Sequence, residues 1–193
     1  MGRSDYALIS ELIPEGARVL DLGCGDGSLL EWLKANKKVE ARGVELKREL
    51  VQQAISRGVT VYQGDLENSL KEYPDGAFDY VILSQTLQEL RQPLQVLQEI
   101  LRIGRYAIVA FPNFGHWRVR LSHLFSGGAP RTKLFPYGWH DSPNVHFLTI
   151  EDFEESTRDQ RWTVEKRMFL SGHTRGTAMP NLMAEVAVYL LRR

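Results

Sequence analysis

The sequence predicts an α/β fold with a doubly wound parallel sheet. Between residues 18 and 111, short apolar segments of strand length alternate with segments whose apolar residues have helical spacing. The first apolar segment, 18–22, is followed by glycines at 23, 25 and 27 and then by a helical pattern. This order is typical of the first unit of such a sheet, where a ligand gap lies at the carboxyl ends of the strands.

Helices are predicted where apolar residues fall on one face and capping signals bound the pattern. The first helix ends before Pro14, and Pro93 and Gly104 bound the fourth. Thr149 caps the last helix, with Asp152 in the capping-box position. The predicted helices cover 5–12, 28–35, 47–57, 93–103 and 149–159.

Strands are predicted for the short apolar runs between these helices. The last two runs are joined by a connection too long for a tight turn, and we expect them to form an antiparallel edge of the sheet. The predicted strands cover 18–22, 39–44, 59–62, 78–83, 106–111, 162–170 and 184–191.

Length and composition favour one domain over residues 1–193. We expect this domain to be located in the cytoplasm. The 24 basic residues balance the 24 acidic ones, which disfavours a nucleic-acid partner, since such a partner needs a cationic face. Cys24 is the only cysteine, so no intramolecular disulfide forms. No apolar run approaches the length of a membrane span, and the amino terminus lacks a signal-peptide core, so we expect no membrane partner.

The regular alternation stops at residue 112, and we expect 112–147 to be an irregular cover or docking segment. It holds four prolines and four of the five histidines, and it contains four basic residues but only one acid, Asp141. A segment of this length without clear periodicity is usually functional or mobile. It follows the fifth strand, so it starts on the ligand side of the sheet.

The charges around the glycine turn limit the chemical class of ligand that can bind there. The dinucleotide fingerprint needs a third glycine where this chain has Ser28. Asp21 and Asp26 flank the turn and would repel a pyrophosphate, but they suit a ligand that carries an ammonium or a sulfonium. The alternative is a strand-to-helix turn that binds nothing.

Two further acids end the next strands. Glu45 lies 22 residues after Gly23, where a carboxylate can accept hydrogen bonds from both hydroxyls of a ribose, and Leu46 beside it can pack on an adenine. Asp65, after the third strand, can accept a hydrogen bond from the adenine amino group. The alternatives are a solvated acid at a strand end and an aspartate that caps a turn.

These residues resemble two nested families. V-L-D-L-G-C-G-D-G at 19–27, followed by Glu45 and Asp65, is similar to class I S-adenosylmethionine-dependent methyltransferases over about residues 19–111. F-P-N-F-G-H-W-R at 111–118, F-P-Y at 135–137 and S-P-N-V-H-F at 142–147 resemble, more narrowly, the methionine biosynthesis protein MetW family over nearly the whole chain.

The resemblance implies a Rossmann-like seven-stranded sheet with strand order 3-2-1-4-5-7-6 and strand 7 antiparallel. It also implies S-adenosyl-L-methionine or S-adenosyl-L-homocysteine as the cofactor. We expect no metal, because His116 and His123 are seven residues apart and the sequence has no H-x-x-x-H pair. Glu45 and Leu46 are then expected at the ribose and the adenine, and Asp65 with Leu66 at the adenine. The remaining residues expected to bind the cofactor are Asp21, Gly23, Cys24, Gly25, Asp26 and Gln85.

Two functions remain open. The resemblance implies a cofactor-binding partner or regulator of a homoserine O-acyltransferase in methionine biosynthesis, and we expect the aromatic and basic segment 111–147 to dock on that enzyme. The alternative is a methyltransferase acting on an unidentified small molecule. Gln85, after the fourth strand, cannot act as a base, so the candidate bases are His116 and His146, with Asn113 and Trp117 shaping the pocket.

Overall fold

The computed structural model describes residues 4–172 and 174–193, so residues 1–3 and 173 of the predicted 1–193 domain lie outside the described residues. The strands are β1 Arg18–Leu22, β2 Glu40–Glu45, β3 Thr60–Gln63, β4 Phe78–Ser84, β5 Gly104–Pro112, β6 Thr163–Ser171, β7 Thr174–Arg175 and β8 Val186–Arg192. The α-helices are α1 Ser4–Leu12, α2 Ser28–Lys37, α3 Arg48–Ser56, α4 Leu66–Ser69, α5 Pro93–Ile103, α6 Trp117–Ser126, α7 Ile150–Asp159 and α8 Pro180–Met183. Short 3₁₀ turns cover Leu70–Glu72 and Leu87–Glu89.

One sheet runs through the molecule in the order β3-β2-β1-β4-β5-β8-β6-β7. Neighbouring strands among β1 to β5 are parallel, whereas β8 is antiparallel to both β5 and β6. The predicted Rossmann-like fold and order are confirmed, with β8 in the place of the seventh strand. Strand β7, which was not predicted from the sequence, adds two residues to the outer edge of β6. Two residues are too short to show the period-two alternation that predicts a strand.

The sheet buries both of its faces, as a doubly wound fold requires. Side chains alternate along β1, so Leu20 and Leu22 pack with α5 and α7, while Val19 packs with α1 and α2. Asp21 follows the same alternation and lies on the face of Val19. The face covered by α1 and α2 therefore also carries an acid at its carboxyl edge.

The segment after β5 contains α6, and the stretch between α6 and α7 is anchored to the carboxyl edge of the sheet. The backbone N–H groups of Val145 and His146 donate to the carbonyl oxygen of Gln88 at 2.9 and 3.0 Å. The predicted capping box of α7 is confirmed, with Thr149 and Asp152 bonding to each other's backbone. None of the helices within 4–172 and 174–193 combines the length and apolar character needed to cross a bilayer.

Candidate functional site

The glycine loop joins β1 to α2 and bends over the end of β2. The N–H groups of Gly23 and Cys24 both donate to the carbonyl oxygen of Val44, at 2.8 and 3.1 Å. Gly25 has φ +58°, and a Cβ placed on it would meet no atom within 4 Å. At Gly27 a Cβ would instead lie 2.8 Å from Cβ of Ala54. Gly25 thus borders open space, whereas Gly27 allows α2 to pack closely on α3.

Glu45 ties three loops together at the end of β2. Its carboxylate accepts one hydrogen bond from the N–H of Gly25 and one from the N–H of Lys47, each at 2.9 Å. Its backbone carbonyl accepts from the N–H of Gly64, after β3, at 3.0 Å. The side chain is 8% exposed. A carboxylate has about four acceptor positions, so two remain for a ligand beside the glycine loop.

Asp26 lies on the side of the loop that faces α3. Its carboxylate accepts hydrogen bonds from the N–H of Ser28 and from the guanidinium of Arg57, which also pairs with Glu31. Burial alone would raise the pKa of Asp26, but the hydrogen bonds from Ser28 and the charge of Arg57 outweigh burial and lower it. Since Arg57 compensates its charge, Asp26 adds little to the attraction of a positively charged ligand.

Two acidic residues are buried at the carboxyl edge of the sheet, on the face that α1 covers. Asp5 and Asp21 are 3% and 4% exposed. The hydroxyl of Ser84, the last residue of β4, donates to Oδ2 of Asp5 at 2.7 Å. Asp21 is in register with Ile82, two residues before Ser84, so the side chains of Asp21 and Ser84 lie on the same face.

Asp5 is not predicted as a site residue from the sequence. An acid in the first turn of a helix is ordinarily a favourable charge near a helix amino terminus, and nothing local shows that it is buried. Tyr6 of α1 also reaches the end of the glycine loop, because its hydroxyl lies 3.3 Å from that of Ser28. Only the contact between α1 and β4, 79 residues apart in the chain, identifies Asp5 as part of this region.

The loop after β3 holds two of the predicted site residues in different surroundings. Asp65 caps α4, accepting hydrogen bonds from the N–H of Glu67 at 2.9 Å and from the amide of Asn68 at 3.2 Å. Leu66 is half-buried against the core, whereas Leu46 at the end of β2 is 65% exposed. Asp65 therefore serves as a helix cap, and its carboxylate stays at the surface.

Gln85 has an uncommon backbone conformation at the end of β4. Its φ is +60°, in the left-handed region that a residue with a side chain adopts only at a cost. Its N–H donates to the carbonyl oxygen of Ala110 at 2.7 Å, and its own carbonyl accepts from the amide of Gln88 at 2.8 Å. Such strain often occurs at functional sites, which agrees with the position of Gln85 beside the loop that carries Gly23.

Cys24 is buried between the glycine loop and β2. A Cβ on Gly43 would lie 2.5 Å from Sγ of Cys24, so the thiol packs directly on the backbone of β2. Burial raises the pKa of the Cys24 thiol, and the nearby charges of Asp21 and Glu45 raise it further. A thiol that resists ionisation is a poor nucleophile, so Cys24 acts in packing.

The two candidate bases are held in different surroundings. His116 is 2% exposed and caps α6, with Nδ1 accepting a hydrogen bond from the N–H of Arg118 at 3.3 Å. Burial lowers the pKa of His116, as does the charge of Arg118, against the opposing effect of Glu185. His146 is exposed and lines a cavity between α5 and α7. The two alternative bases thus lie in different environments, one buried as a helix cap and one exposed.

Asn113 links β5 to the segment before β8. Its amide donates to the carbonyl oxygens of Asn181 and Ala184, each at 2.9 Å, and its Oδ1 accepts from the N–H of Gly115 at 2.9 Å and of Ile150 at 3.4 Å. These bonds use the hydrogen-bonding capacity of the amide, so Asn113 holds the fold together. Across the part of the chain that the structure describes, no three His, Cys, Asp or Glu side chains are grouped so as to hold a metal ion.

Solved structures with this fold define its class. A SAM-dependent methyltransferase from Archaeoglobus fulgidus has a TM-score of 0.71 and 17% identity, over 100% of this chain and 95% of that chain. An S-adenosylmethionine-dependent methyltransferase from Mesorhizobium loti has a TM-score of 0.70 and 15% identity, over 100% and 99%. The chain has the Rossmann-like fold of the class I methyltransferases.

The family is narrower than this class. The model of the family described as methionine biosynthesis protein MetW matches residues 3–191. The bifunctional methionine biosynthesis protein MetXA/MetW of Rhodopirellula baltica is 34% identical over 203 residues, covering 98% of this chain. The chain belongs to the MetW family of methionine biosynthesis.

The chain is shorter than the curated relatives it matches. It spans 32% of the length of the Rhodopirellula protein. It also matches the ubiquinone biosynthesis O-methyltransferase of Burkholderia vietnamiensis at 27% identity, over 65% of this chain and 56% of that protein.

Proposed function

We propose that this chain binds S-adenosyl-L-methionine, or S-adenosyl-L-homocysteine, and acts as a partner and regulator of a homoserine O-acyltransferase. The observation that carries the cofactor proposal is the bond between Glu45 and Gly25. It places a carboxylate with spare acceptor positions next to the open space above the glycine loop. Hydroxyls of a ribose are donors that such a carboxylate binds well.

The other side chains around this space fit the same cofactor. Asp21 supplies buried negative charge on the face of Ser84, which suits an ammonium or sulfonium group. Leu46 offers an exposed apolar surface for the adenine, with Asp65 and Leu66 at the adjoining loop. When bound, the cofactor supplies a methyl group activated by its sulfonium. Gly23 lets the loop pack on Thr86, since a Cβ there would lie 2.7 Å from Oγ1 of Thr86, and Gln85 lies next to Thr86 at the end of β4. Cys24 and Asp26 hold the loop in place.

The partner proposal rests on the relative in which two functions share one chain. In the Rhodopirellula protein, the part similar to this chain covers 32% of the length, and its name joins MetXA to MetW. Fusion keeps two modules at a high effective concentration, which benefits modules that work in contact. We propose that the partner of this chain is a homoserine O-acyltransferase, docked through residues 111–147.

Three arms of one kinetic experiment test this function. The acyl-transfer rate of the purified acyltransferase from the same cell is measured alone, with this chain, and with this chain plus S-adenosyl-L-methionine. We expect a change on adding the chain and a further change with the cofactor, because a regulator must bind the cofactor differently in its free and docked forms. Equal rates in all arms, together with separate elution of the two proteins, would contradict the proposal.

Asp5 favours a second candidate function, methyl transfer to a small molecule. Its carboxylate, hydrogen-bonded to Ser84 at the end of β4, lies at the strand edge where a methyl acceptor would bind, and a carboxylate can take a proton. The test is transfer of a labelled methyl group from the cofactor into a metabolite extract. Transfer that Asp5→Asn abolishes, while cofactor affinity persists, would favour the enzyme. Absence of any labelled acceptor would favour the regulator.

A further inference from the structure

Several large apolar side chains are exposed on the surface formed by α6 and the stretch that follows it. Phe125 and Leu124 are 82% and 72% exposed, Leu121 lies one turn before them, and Trp117 lies two turns before them. A shallow cavity of about 420 Å³ runs along this helix face beside Arg118 and Phe125. Contiguous apolar patches of this kind mark interaction sites.

A second cavity of about 420 Å³ opens on the other side of α6. We call it the aromatic chamber, and its aromatic walls are Phe114, Phe135, Tyr137, Trp139 and Phe147. The ring of Phe114 contacts those of Phe135 and Phe147 at 5.1 and 4.6 Å between centroids, which fixes the floor. Trp139, 83% exposed, forms the rim. His123 of α6 also lines the chamber, so α6 is a ridge between two apolar cavities.

The charges around this surface are mainly basic, although Arg118 pairs with Glu185 at 3.3 Å. Residues 112–147 contain Arg118, Arg120, Arg131 and Lys133 but only one acid, Asp141, although the whole chain has zero net charge. Arg131 and Lys133 are both exposed near the chamber. An apolar centre with a basic rim is complementary to an apolar anchor flanked by carboxylates.

We infer that this surface receives a segment of the homoserine O-acyltransferase in which aromatic or aliphatic anchors stand beside Asp or Glu side chains. The inference rests on the proposed function and specifies its interface. The anchors occupy the aromatic chamber and the cavity along α6, because fully desolvated pockets are where anchors contribute most of the binding energy. The carboxylates meet Arg131 and Lys133 at the rim and set the rate and orientation of docking.

Two exposed aromatic residues test the apolar part. The affinity of the purified acyltransferase is measured by calorimetry for the wild type, Phe125→Asp and Trp139→Asp. We expect each variant to bind at least about 10-fold more weakly, since each would place a charge against an apolar anchor. The matched control is Ile55→Asp, which changes an apolar residue of α3 that is 56% exposed, and it should keep wild-type affinity. Cofactor affinity of every variant is measured in parallel to show that the fold is intact.

Lys133→Glu tests the basic rim, with Lys166→Glu on β6 as its control. We expect Lys133→Glu to slow association and to reduce its dependence on salt, while Lys166→Glu changes neither. A complex that forms with wild-type affinity in Phe125→Asp and Trp139→Asp overturns this inference and leaves the proposed function standing. Self-association of the free chain that these variants abolish, with acyltransferase binding intact, also overturns it. Absence of any complex with the wild type overturns both proposals.

Discussion

The carboxylate of Glu45 accepts a hydrogen bond from the backbone N–H of Gly25 at 2.9 Å. The residue that we propose for the ribose therefore also shapes the glycine loop. From the sequence, a strand-end acid is expected to leave the fold almost unchanged when replaced by alanine. The structure corrects that expectation, because the loss of the carboxylate would leave the N–H groups of Gly25 and Lys47 without their acceptor.

Glu45→Ala should lower both cofactor affinity and stability. Each of the two N–H groups that lose their acceptor costs about 1–3 kcal/mol where it stays buried. The free energy of unfolding should therefore fall by at least about 1 kcal/mol. Glu45→Gln keeps one acceptor oxygen and should lose less stability while still losing the charge-assisted bonds to the ribose. Urea unfolding and calorimetric titration with the cofactor measure the two effects. Full cofactor affinity in Glu45→Gln would remove Glu45 from the proposed site.

The buried hydrogen bond between Ser84 and Asp5 should couple the two residues energetically. A double-mutant cycle with Ser84→Ala and Asp5→Ala isolates the pair, and we expect a coupling of about 2 kcal/mol in the free energy of unfolding, because one partner is a carboxylate. The control cycle uses Tyr6→Phe and Ser28→Ala, a neutral pair at 3.3 Å between the same helix and the glycine loop. A coupling no larger than that of the control pair would contradict the importance of Asp5 at this edge.

The fold was predictable because its signals are local. The glycines at 23, 25 and 27, the strand-ending Glu45 and the capping box of Thr149 each act within a few residues of where they stand in the chain. Strand order beyond the alternation came from the resemblance, and the structure confirms it. Local periodicity suffices for such elements since a doubly wound sheet repeats one short unit.

The site was less predictable because its contacts are distant in the chain. Asp5 meets Ser84 across 79 positions, and Asp26 meets Arg57 across 31. A sequence shows that Asp26 flanks the glycine turn but not that a guanidinium compensates its charge. Likewise, no local signal distinguishes His116, which is buried as a helix cap, from His146, which is exposed.

Gln85→Gly should separate backbone strain from ligand contact. Glycine adopts the φ of +60° without penalty, so the substitution relieves backbone strain in the folded protein. Glycine also has a larger conformational entropy in the unfolded chain, which opposes this stabilisation. The free energy of unfolding should therefore change by less than about 1 kcal/mol. Cofactor affinity should fall, because the side chain is lost. Lys38→Gly is the matched control, since Lys38 has φ 49° at the end of α2, away from the loop. It should leave cofactor affinity unchanged, and equal behaviour of the two variants would count against a ligand contact by Gln85.

His116 should make the protein less stable in mild acid. Its pKa is lowered by burial and by Arg118, against the attraction of Glu185, so the unfolded chain takes up a proton at a higher pH than the folded chain does. The stabilising contribution is complete above the unfolded value of about 6.5 and is lost as the pH falls through the lower pKa of the folded state. Protonation also turns Nδ1 from an acceptor into a donor, which breaks its bond with the N–H of Arg118.

His116→Asn measures this effect, because asparagine also caps helices but does not titrate. The free energy of unfolding is compared at about pH 7.5 and about pH 5.5, on either side of the ordinary pKa of histidine. The wild type should lose more stability than the variant across this interval. His123→Asn changes an exposed histidine of α6 and should behave as the wild type does. If His116→Asn lost as much stability in acid as the wild type, the pH dependence would originate in groups other than the buried cap of α6.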